Sequence, residues 1–552
     1  MQALHSFTPN TAPGEDGIPN RALIWTWEVA AEEYHGFISK CIQLGHHPNL
    51  YHQSISPTLQ KLGKADYSNP RAWRLIHLLS TMGKWIEKVV VTRLLYYATK
   101  HGLVLPNQFG AMPGKSTTDA ALCLAHDIYA ANNHNLFTSL ITFDITGYFN
   151  NVNHNRLLSI LRSKGIPLPL CKWVQSFVSR RETRIRVDGF TDGARAVCTG
   201  CPQGSPVSGV LANYYSAPLL EMFLQANAQI RDAPTQNPDI RGHNDETPIT
   251  AGLFVDDRSL YTASKSPTAN ARRLQNVFKK VITWADQNGL KIDMNKVDYI
   301  CFTCPHKRKI PLIPSVTLPT STNLGETRIY KPQSHIKWLG LLFDTKLTFG
   351  QHVQHLASQG AAVAGCLRML ANTTGGLSHQ NMKTLYNACV LPTLSYALPV
   401  WWNGKKNQIK KIENIQNRCL RTILPVFTTT PIHAMQVESG ILPLQTWLDY
   451  MNRQVAARLA AKIDPTNPIH GRLPTHLQWE DNRQDTTPPP LPIRLTRRKL
   501  GMPSKFKSST IQEITSEIPG KVEKITPAHT LPPWRTDAND IWYTTRLTTH
   551  PA

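Results

Sequence analysis

The sequence predicts an α+β fold, because an antiparallel hairpin in the middle of the chain is followed by a long helical region. In the hairpin, Leu253–Tyr261 reads LFVDDRSLY, with apolar residues on both sides of Asp256 and Asp257. Helical spacing of apolar residues then runs from about 351 to 424, with an interruption at Leu391-Pro392. A chain of 552 residues is too long for one hydrophobic core, so we expect two to four substructures.

Asp256 and Asp257 would lie at the bend of this hairpin. Two adjacent carboxylates on a tight turn can hold divalent cations through oxygen ligands. So short a pattern is much more often a solvated turn, and its meaning therefore depends on the rest of the chain.

The charge balance favours a polyanionic partner. The chain contains 60 Lys and Arg residues against 37 Asp and Glu residues, a net charge of +23. Such a field attracts nucleic acid first and acidic membranes second, and the alternative is a basic protein that binds neither. No apolar run long enough to span a membrane is present, no signal-peptide pattern opens the chain, and the ten cysteines form no disulfide framework. We therefore expect an intracellular protein that is not secreted, of the nucleus or cytoplasm, with an organelle as the alternative.

Two partial motifs carry no function. The segment from Gly110 to Ser116 has three residues between its glycines where a phosphate-binding loop needs four, and no clear strand precedes it. Cys301, Cys304 and His306 suggest zinc, but no second ligand pair is near, so buried apolar thiols are the favoured interpretation.

The first 135 residues combine helices with cations on loops. A turn-rich start leads into an apolar helix at about Ala22–Tyr34. Lys61, Lys64 and Arg74 follow on loops, where they could grip a triphosphate or a template backbone. A solvated basic face is the alternative, and the residues alone favour it.

Residues 136–144, LFTSLITFD, predict a strand that ends in a carboxylate, since β-branched and aromatic residues dominate it. Asp144 at that end could join Asp256 and Asp257 as a third acid. The alternative for Asp144 is a helix N-cap.

Between 198 and 215, a turn rich in Gly, Pro and Ser leads into an apolar helix. Gly204 permits close approach of the backbone to a ligand, and Gln203 offers both a donor and an acceptor. The polar residues from about 232 to 248 are interpreted as a surface insert.

Beyond the hairpin, Ser266-Pro267 predicts a helix start and Asn288-Gly289 its end. Lys291–Phe302 predicts a strand that carries Lys296 near its start, and a further hairpin is predicted from Trp338 onward. Prolines and basic residues from about 475 to 535 predict an extended linker with little core of its own.

Eight segments follow one another in an order that is specific, although each segment alone is not. They are APGEDGIPN, PRAWRLIHLLSTMGKWIEKVV, QFGAMPGKSTTDA, FDITGYFNNVNHNRLL, CPQGSPVSG, FVDD, LKIDMNK and WLGLLFDTKLTF. With these segments, the chain resembles the reverse transcriptase of a non-LTR (LINE-like) retrotransposon over nearly its whole length. This order favours a catalytic centre over a solvated turn at the acid pair.

The resemblance implies a right-hand polymerase with fingers, palm and thumb. The palm would contain an antiparallel sheet, the thumb would be helical, and a Pro-rich extension would end the chain. The implied boundaries are 1–135 for the fingers, 136–345 for the palm with its polar insert at about 232–248, 346–430 for the thumb, 431–475 for a helical connection, and 476–552 for a partly disordered Pro-rich basic linker.

The resemblance also implies RNA-directed DNA synthesis on an RNA template, from a DNA primer and deoxynucleoside triphosphates. Asp144, Asp256 and Asp257, together with Ile145, would hold two Mg²⁺ ions, for which Mn²⁺ could substitute. One ion would lower the pKa of the primer 3′-hydroxyl, and the other would neutralise the triphosphate and the leaving pyrophosphate. Lys296 would lie near the pyrophosphate as a proton donor.

Nucleotide and template contacts are implied for a further set of residues. They are Lys61, Lys64, Arg74, Phe149, Pro202, Gln203 and Gly204. Phe149 would lie under the sugar, where an aromatic ring clashes with a 2′-hydroxyl and so selects deoxynucleotides. The alternative is that Phe149 only packs in the core.

Departures from the family pattern leave other interpretations open. Arg258 replaces a frequent glycine and puts a long cation beside the acid pair, and Asn150 replaces a frequent aspartate. The second hypothesis is therefore a catalytically impaired, domesticated remnant that binds nucleic acid. A third, a viral polymerase that makes RNA, is disfavoured by Phe149. Elements of this type also carry an endonuclease upstream and some a ribonuclease H downstream, and we expect neither in this chain.

Overall fold

The computed structural model describes residues 6–61, 63–232, 248–303, 311–322, 325–371, 375–462 and 466–474, with Ile511, Thr515 and Ile518. Three of the predicted segments fall outside this part of the chain. They are the body of the polar insert (233–247), Cys304 with His306, and nearly all of the Pro-rich linker at 476–552.

Fourteen strands are present in the described residues. They are β1 Gln53–Gln60, β2 Trp73–Leu75, β3 Leu78–Leu79, β4 Phe137–Phe143, β5 Arg181–Val187, β6 Phe190–Thr191, β7 Arg195–Val197, β8 Thr250–Phe254, β9 Asp257–Ser264, β10 Asp298–Phe302, β11 Val316–Pro319, β12 Thr327–Tyr330, β13 His335–Trp338 and β14 Leu341–Asp344.

The same residues form fourteen α-helices. They are α1 Asn20–Leu44, α2 Thr81–Lys100, α3 Thr117–Asn133, α4 His154–Ser163, α5 Leu168–Val178, α6 Pro206–Asp232, α7 Pro267–Gln287, α8 Gly350–Leu370, α9 His379–Leu385, α10 Leu391–Leu394, α11 Leu398–Trp401, α12 Lys406–Ile423, α13 Ile432–Ser439 and α14 Leu444–Lys462. Short 3₁₀ turns lie at Asn49–Tyr51, Pro70–Ala72, Tyr148–Asn151, Met294–Lys296 and His470–Arg472.

The chain divides into two compact units. The first contains the described residues of Met1–Leu105 and Gly147–Ala217, and the second contains those of Pro106–Thr146 and Pro218–Val522.

The first unit is built on a mixed sheet in the order β2-β1-β5-β6, with β3 also on β1 and β7 also on β5. Strand β1 is parallel to β5 and antiparallel to β2 and β3. Between β1 and β5, hydroxyl groups pair across the sheet, since Ser56 Oγ lies 2.6 Å from Thr183 Oγ1. Helix α1 is longer than the predicted Ala22–Tyr34, and its Trp27 and Tyr34 pack around the buried Trp85 of α2.

The second unit contains a four-stranded antiparallel sheet in the order β10-β4-β9-β8. Strand β4 is buried along its whole length, as its run of β-branched and aromatic residues requires. Strands β8 and β9 form the predicted hairpin, in which Phe254 pairs with Asp257. The predicted α+β fold with an antiparallel sheet is confirmed.

Helix α7 packs on this sheet in the way that its sequence predicts. The Ser266 side chain accepts a hydrogen bond from the Ala269 backbone N–H at 3.4 Å, and Pro267 follows at the first helical turn. The helix ends before Gly289, which has a φ of +67°. The predicted apolar face is buried: Leu274, Val277, Phe278, Val281, Trp284 and Ala285.

Helices α8 to α12 occupy the region that was predicted to be helical from 351 to 424, but the position of the predicted break is wrong. The backbone stays helical from His379 to Leu394, through a π-helical stretch at Tyr386–Val390. Pro392 stands two residues after the end of that stretch, in the first turn of α10, where a residue without an N–H is tolerated. The chain leaves the helical conformation instead after Leu370 and before α11 and α12.

The end of the described chain is bound to α3 by ion pairs. Arg472 forms two hydrogen bonds with the Asp127 carboxylate, from Nε to Oδ1 at 2.8 Å and from Nη2 to Oδ2 at 2.7 Å. The Tyr261 hydroxyl donates to the same Oδ2 at 2.8 Å. Arg458 of α14 pairs with the buried Asp119 in the first turn of α3. Paired, hydrogen-bonded charges of this kind are costly to break.

No helix of the described residues is long and apolar enough to cross a membrane. All nine cysteines in that part of the chain are free, and Cys301 is buried in β10.

Candidate active site and nucleotide-binding loop

Asp256 lies on the two-residue turn of the hairpin, and Asp257 follows it as the first residue of β9. Phe254 and Asp257 close the ladder between β8 and β9, which leaves Val255 and Asp256 as the central residues. Val255 has a φ of +61°, a conformation that suits this hairpin turn but is strained for a β-branched residue. The turn fixes Asp256 and Asp257 at the same end of the sheet.

A short segment before α3, which contains Phe109 and Gly110, packs against this turn. The Phe109 N–H donates to the Leu253 carbonyl at 2.8 Å, so the segment pairs alongside β8. Gly110 then lies against the turn itself: a Cβ atom on this residue would be 2.5 Å from Val255 Cγ2 and 2.7 Å from Val255 N. Only glycine allows so close an approach of two backbones.

Asp144 is brought to the acid pair by the register of β4 and β9. The last pair between these strands is Phe143 with Arg258, so Asp144 stands one residue beyond the ladder, beside Asp257. The Asp144 carbonyl accepts the Asp293 N–H at 2.9 Å, which extends the pairing on the other side. The predicted third acid therefore meets the other two, and the N-cap alternative for Asp144 does not apply.

Lys296 is also brought to Asp144, but not from a strand. The predicted strand Lys291–Phe302 is wrong in its first half, because the 3₁₀ turn Met294–Lys296 precedes β10. The Asp293 side chain caps this turn by accepting the Asn295 N–H at 3.2 Å. The turn directs Lys296 Nζ to Asp144 Oδ2, with which it forms an ion pair.

The charges of this cluster act on one another. The surrounding protein raises the pKa of Asp257 to about 6, first through loss of hydration and then through the negative charges of Asp256 and Asp144. The same two causes, with Asp144 as the charge, raise the pKa of Asp256. Both residues nevertheless remain exposed overall. Burial lowers the pKa of Lys296, but its hydrogen bond to Asp144 and the nearby carboxylates outweigh that effect and raise the pKa.

The donor set fits a hard divalent cation in its chemistry. Asp144 Oδ1 is buried and accepts no hydrogen bond, while Oδ2 is occupied by Lys296. Among the described residues, no three His, Cys, Asp or Glu side chains are grouped closely enough to form a complete metal-binding set. Ile145 is buried and could contribute only its backbone carbonyl. A carboxylate oxygen with no partner, beside two acids of raised pKa, is nevertheless the arrangement that a cation would stabilise.

Arg258 does not lie where the sequence suggested. Neighbouring residues of a strand point to opposite faces, so Arg258 and Asp257 diverge. The guanidinium is buried and lies 5.7 Å from the centre of the Trp284 ring on α7. The long cation that was expected beside the acid pair is therefore directed away from Asp257, and it acts on the two acids only through its charge, which lowers the pKa of both.

Four of the predicted nucleotide-contacting residues of the first unit lie on or beside one loop, residues 199–205. The Cys201 N–H donates to the Phe149 carbonyl at 2.7 Å. Gly200 lies so close to the same turn that a Cβ atom would be 2.7 Å from that carbonyl oxygen. Asn150, the noted departure, is exposed, and its carbonyl accepts the Thr199 hydroxyl at 3.2 Å. The structure thus brings Phe149 together with Pro202, Gln203 and Gly204.

The other side of the loop lies against His77, in the short segment between β2, which carries Arg74, and β3. The His77 N–H donates to the Gln203 carbonyl at 2.7 Å. Gly204 has a φ of +112°, and a Cβ atom there would be 2.7 Å from the His77 carbonyl oxygen. The loop is therefore held between two segments, and Gly204 cannot be replaced without moving it.

The three predicted cations of the first unit differ in their contacts. Arg74 is exposed and pairs in the sheet with Leu59, and Lys64 is exposed on the loop between β1 and β2. Lys61 Nζ donates to the Arg71 carbonyl at 2.8 Å, so it helps to fold this loop. Of these three, Arg74 alone lies on a strand, β2, and the residues after β2 lead to His77, which contacts the Gln203 loop.

Sequence reasoning missed three residues that build these sites: Gly110, Glu87 and Ser205. Gly110 stood in the segment that was set aside as a failed phosphate-binding loop, and its Lys115 in fact donates to the Pro106 carbonyl at 2.6 Å. Glu87 lies in a helical pattern where an acid suggests only a solvated position, yet it is buried. The signal that could have indicated Glu87 is an acidic residue at one of the positions of α2 that face the core.

Comparison with known families decides the assignment. The family model described as reverse transcriptase (RNA-dependent DNA polymerase) matches residues 62–343, just over half of the chain. The chain belongs to the reverse transcriptase family. The match spans every predicted site residue from Lys64 to Lys296, and Lys61 lies one residue outside it.

Curated relatives of this reverse transcriptase come from mobile elements. It is 26% identical over 424 residues to the probable RNA-directed DNA polymerase from transposon BS of Drosophila melanogaster, with 77% of this chain and 44% of the relative covered. It is 24% identical over 413 residues to the RNA-directed DNA polymerase from mobile element jockey of the same fly, with 75% and 42% covered. It is 24% identical to the putative 115 kDa protein in type-1 retrotransposable element R1DM, with 86% and 42% covered.

The chain thus spans less than half the length of these relatives, and the resemblance to LINE-like reverse transcriptases is confirmed. Among solved structures, apo telomerase from Candida tropicalis is 12% identical and covers 60% of this chain and 61% of its own, with a TM-score of 0.35. That structural similarity is weak, and the assignment rests on the family match.

Proposed function

We propose that the chain is an RNA-directed DNA polymerase that extends a primer 3′-hydroxyl with deoxynucleotides, as part or remnant of a retrotransposon. The observation that carries this proposal is the convergence of Asp144, Asp256 and Asp257 at one end of an antiparallel sheet in a reverse transcriptase. The proposed substrates are an RNA template, a DNA primer and deoxynucleoside triphosphates. A net charge of +23 supports a polyanionic substrate.

Asp144, Asp256 and Asp257 would bind two Mg²⁺ ions, with the Ile145 carbonyl as a further ligand and Mn²⁺ as a substitute. When bound, the ions supply Lewis acidity at the 3′-hydroxyl and charge neutralisation at the phosphates. The chain's own contribution is placement: the hairpin turn holds two carboxylates, and the β4–β9 register holds the third beside them. The raised pKa of Asp257 fits carboxylates that ionise fully only beside a cation.

Lys296 would exchange its ion pair with Asp144 for a contact with the pyrophosphate. In the structure its ammonium group neutralises one oxygen of Asp144. A triphosphate would offer it a stronger anionic partner, and we propose that Lys296 then contacts the pyrophosphate and donates a proton to it. Its ion pair with Asp144 keeps it protonated for that role.

Gln203 and Gly204 would receive the incoming nucleotide, and Phe149 would select its sugar. The support is that the loop and the Phe149 turn are bound to each other through short backbone contacts. Pro202 shapes the loop, Arg74 would meet the triphosphate or the template, and Lys61 and Lys64 would add charge on the neighbouring loop. We further propose that 1–135, 136–345 and 346–430 act as fingers, palm and thumb.

Primer extension tests the function directly. Purified protein with an annealed RNA template and DNA primer should incorporate deoxynucleotides in Mg²⁺. Asp256→Asn should lower the rate by a factor of about 1000 or more, because it removes a metal-binding charge, while template binding and the melting temperature change little. Asp298→Asn is the matched control, since Asp298 lies on β10 of the same sheet and its carboxylate accepts a hydrogen bond from the Gln333 amide at 2.6 Å.

A binding remnant is the second candidate function. Its support is the strong positive charge together with departures such as Asn150 from the family pattern. It predicts tight RNA binding but no extension by the wild type in either Mg²⁺ or Mn²⁺. An Asp256→Asn protein as active as wild type would contradict the proposed catalytic role of the acids.

A further inference from the structure

Glu87 is a buried acid that the proposed chemistry does not use. It lies on α2 with 1% of its surface exposed. Its Oε2 accepts a hydrogen bond from the Ser205 hydroxyl. A carboxylate is expensive to bury unless it is bonded, so its place in the core calls for a specific partner and purpose.

Ser205 joins Glu87 to the loop that carries Gln203 and Gly204. Its hydroxyl also accepts the Val207 N–H of α6 at 3.2 Å, and its own N–H donates to the Pro202 carbonyl at 3.2 Å. One side chain thus connects the loop, the start of α6 and the carboxylate on α2. Since Ser205 follows Gly204 directly, displacing Ser205 displaces the loop.

The opposite side of the loop is fixed by contacts with His77. The Gln203 carbonyl accepts from the His77 N–H, and Gly204 leaves no room for a Cβ atom beside the His77 carbonyl. These contacts position the loop in one direction. At the other end, where the loop becomes α6, the Ser208 hydroxyl donates to the Pro202 carbonyl at 2.9 Å, and the bond between Ser205 and Glu87 adds a restraint that reaches α2.

Two buried cations act on Glu87, and their positive charges reduce the free-energy cost of burying its carboxylate. Lys84 lies one turn earlier on α2, and Arg181 lies on β5; both are less than one-tenth exposed. Burial raises the pKa of Glu87 to about 7, against the lowering effects of the Ser205 hydrogen bond, Arg181 and Lys84. The Ser205 hydrogen bond is thus one of the interactions that favour the ionised carboxylate of Glu87.

We propose that Glu87 is a positioning residue for nucleotide binding: through Ser205 it holds the Gln203–Gly204 loop in the conformation that receives the incoming nucleotide. This inference rests on the proposed polymerase function. Glu87 touches no substrate itself, and its effect is transmitted by one hydroxyl group.

Ser205→Ala tests the link with the smallest change. It should raise the KM for the deoxynucleotide about tenfold, the equivalent of one hydrogen bond to a carboxyl group. The KM for primer-template and kcat should each change by less than about threefold. Ser176→Ala is the matched control, because its hydroxyl also accepts one N–H (His47, 3.0 Å) and donates to one acceptor (the His47 carbonyl, 3.2 Å) in the same unit. The control should lose similar stability but keep its nucleotide KM.

Variants of Glu87 separate positioning from general destabilisation. Glu87→Gln keeps an acceptor for Ser205 and should retain a nucleotide KM near that of wild type. Glu87→Leu removes the acceptor and should raise the KM as Ser205→Ala does. The double variant Glu87→Leu with Ser205→Ala should be no worse than either single one, since both remove the same bond.

The outcomes distinguish this inference from the function on which it rests. A wild type that extends no primer overturns the polymerase function and this inference with it. A wild type that extends, with Ser205→Ala and Glu87→Leu unchanged in nucleotide KM or no different from Ser176→Ala, overturns the positioning role alone. Additive effects of the two substitutions would overturn it as well.

Discussion

Phe149 is half-buried in the 3₁₀ turn after β4, and its position is fixed from two sides. Its carbonyl accepts the Cys201 N–H, and the preceding Tyr148 is anchored by a hydrogen bond from its hydroxyl to the Ala212 carbonyl at 2.7 Å. The Phe149 backbone is held by the loop before α6, and the preceding residue, Tyr148, is held by α6 itself. The 3₁₀ turn that carries the ring is therefore fixed relative to the loop. A side chain fixed in this way can discriminate between sugars by its size.

Replacing Phe149 by Val should therefore relax sugar selection. The smaller side chain leaves room for a 2′-hydroxyl, so the preference for deoxynucleotides over ribonucleotides should fall by about tenfold or more. The measurement is the ratio of kcat/KM for the two nucleotides in both proteins. Tyr148→Phe serves as the control for disturbance of the turn. An unchanged ratio in a folded Phe149→Val protein would remove Phe149 from the site.

At the scale of single residues, the sequence predicted the acids but not the side chains around them. Asp144, Asp256 and Asp257 could be found because each ends or bends an apolar strand, a pattern that is visible in the letters. Arg258 was misplaced because the side chains of consecutive residues in a strand point to opposite faces of the sheet. Glu87 was missed because its burial depends on α6 and β5, which lie more than 90 residues later in the chain.

The hairpin formed by β8 and β9 owes its turn geometry to a segment outside it. Val255 adopts a positive φ that the turn requires, and Gly110 lies directly beneath the turn. No repeat or spacing in the sequence links position 110 to position 255. The predicted hairpin was thus confirmed as an element, whereas its support could only be seen in three dimensions.

Gly110→Ala should displace the acids without touching them. A Cβ atom would lie 2.5 to 3.0 Å from atoms of Val255 and Phe254, so the turn that carries Asp256 must shift. We expect kcat to fall roughly 10- to 100-fold, the usual effect of misplacing catalytic groups, with little change in the KM for primer-template. Gly193→Ala is the control, because nothing lies within 4 Å of its Cβ position. Equal rates for the two variants would contradict the supporting role of Gly110.

The whole molecule contains buried histidines that make it sensitive to acid. Burial lowers the pKa of His126 and His352 to about 4 each, and lowers that of His47 well below its ordinary value. As the pH falls below about 6.5, the unfolded chain takes up these protons while the folded chain does not. The stabilisation is therefore complete above pH 6.5 and is lost progressively towards pH 4. Glu87, whose pKa is raised, works in the opposite direction between about 4.5 and 7.

His352→Asn isolates one of these contributions. The Asn carbonyl oxygen can replace Nδ1, which accepts the Leu342 N–H, but it takes up no proton. Between pH 7 and pH 4.5 the variant should therefore lose less stability than wild type, by up to about 2 kcal/mol from the pKa difference. Hydrogen exchange of amides in α8, corrected for intrinsic rates, measures this difference within the unit that contains His352. Identical pH dependence in both proteins would show that His352 does not titrate on unfolding.

The ion pair between Asp127 and Arg472 has a consequence for the time at which the protein can fold. Its partners are 345 residues apart in the chain. At the usual 5 to 20 residues per second, Asp127 leaves the ribosome roughly 17 to 70 s before Arg472 is made. Until Arg472 is made, the Asp127 carboxylate lacks the guanidinium that pairs with it in the folded unit. The second unit therefore reaches its final packing only after Arg472 has been made, and a nascent chain that stalls before that residue remains incompletely folded.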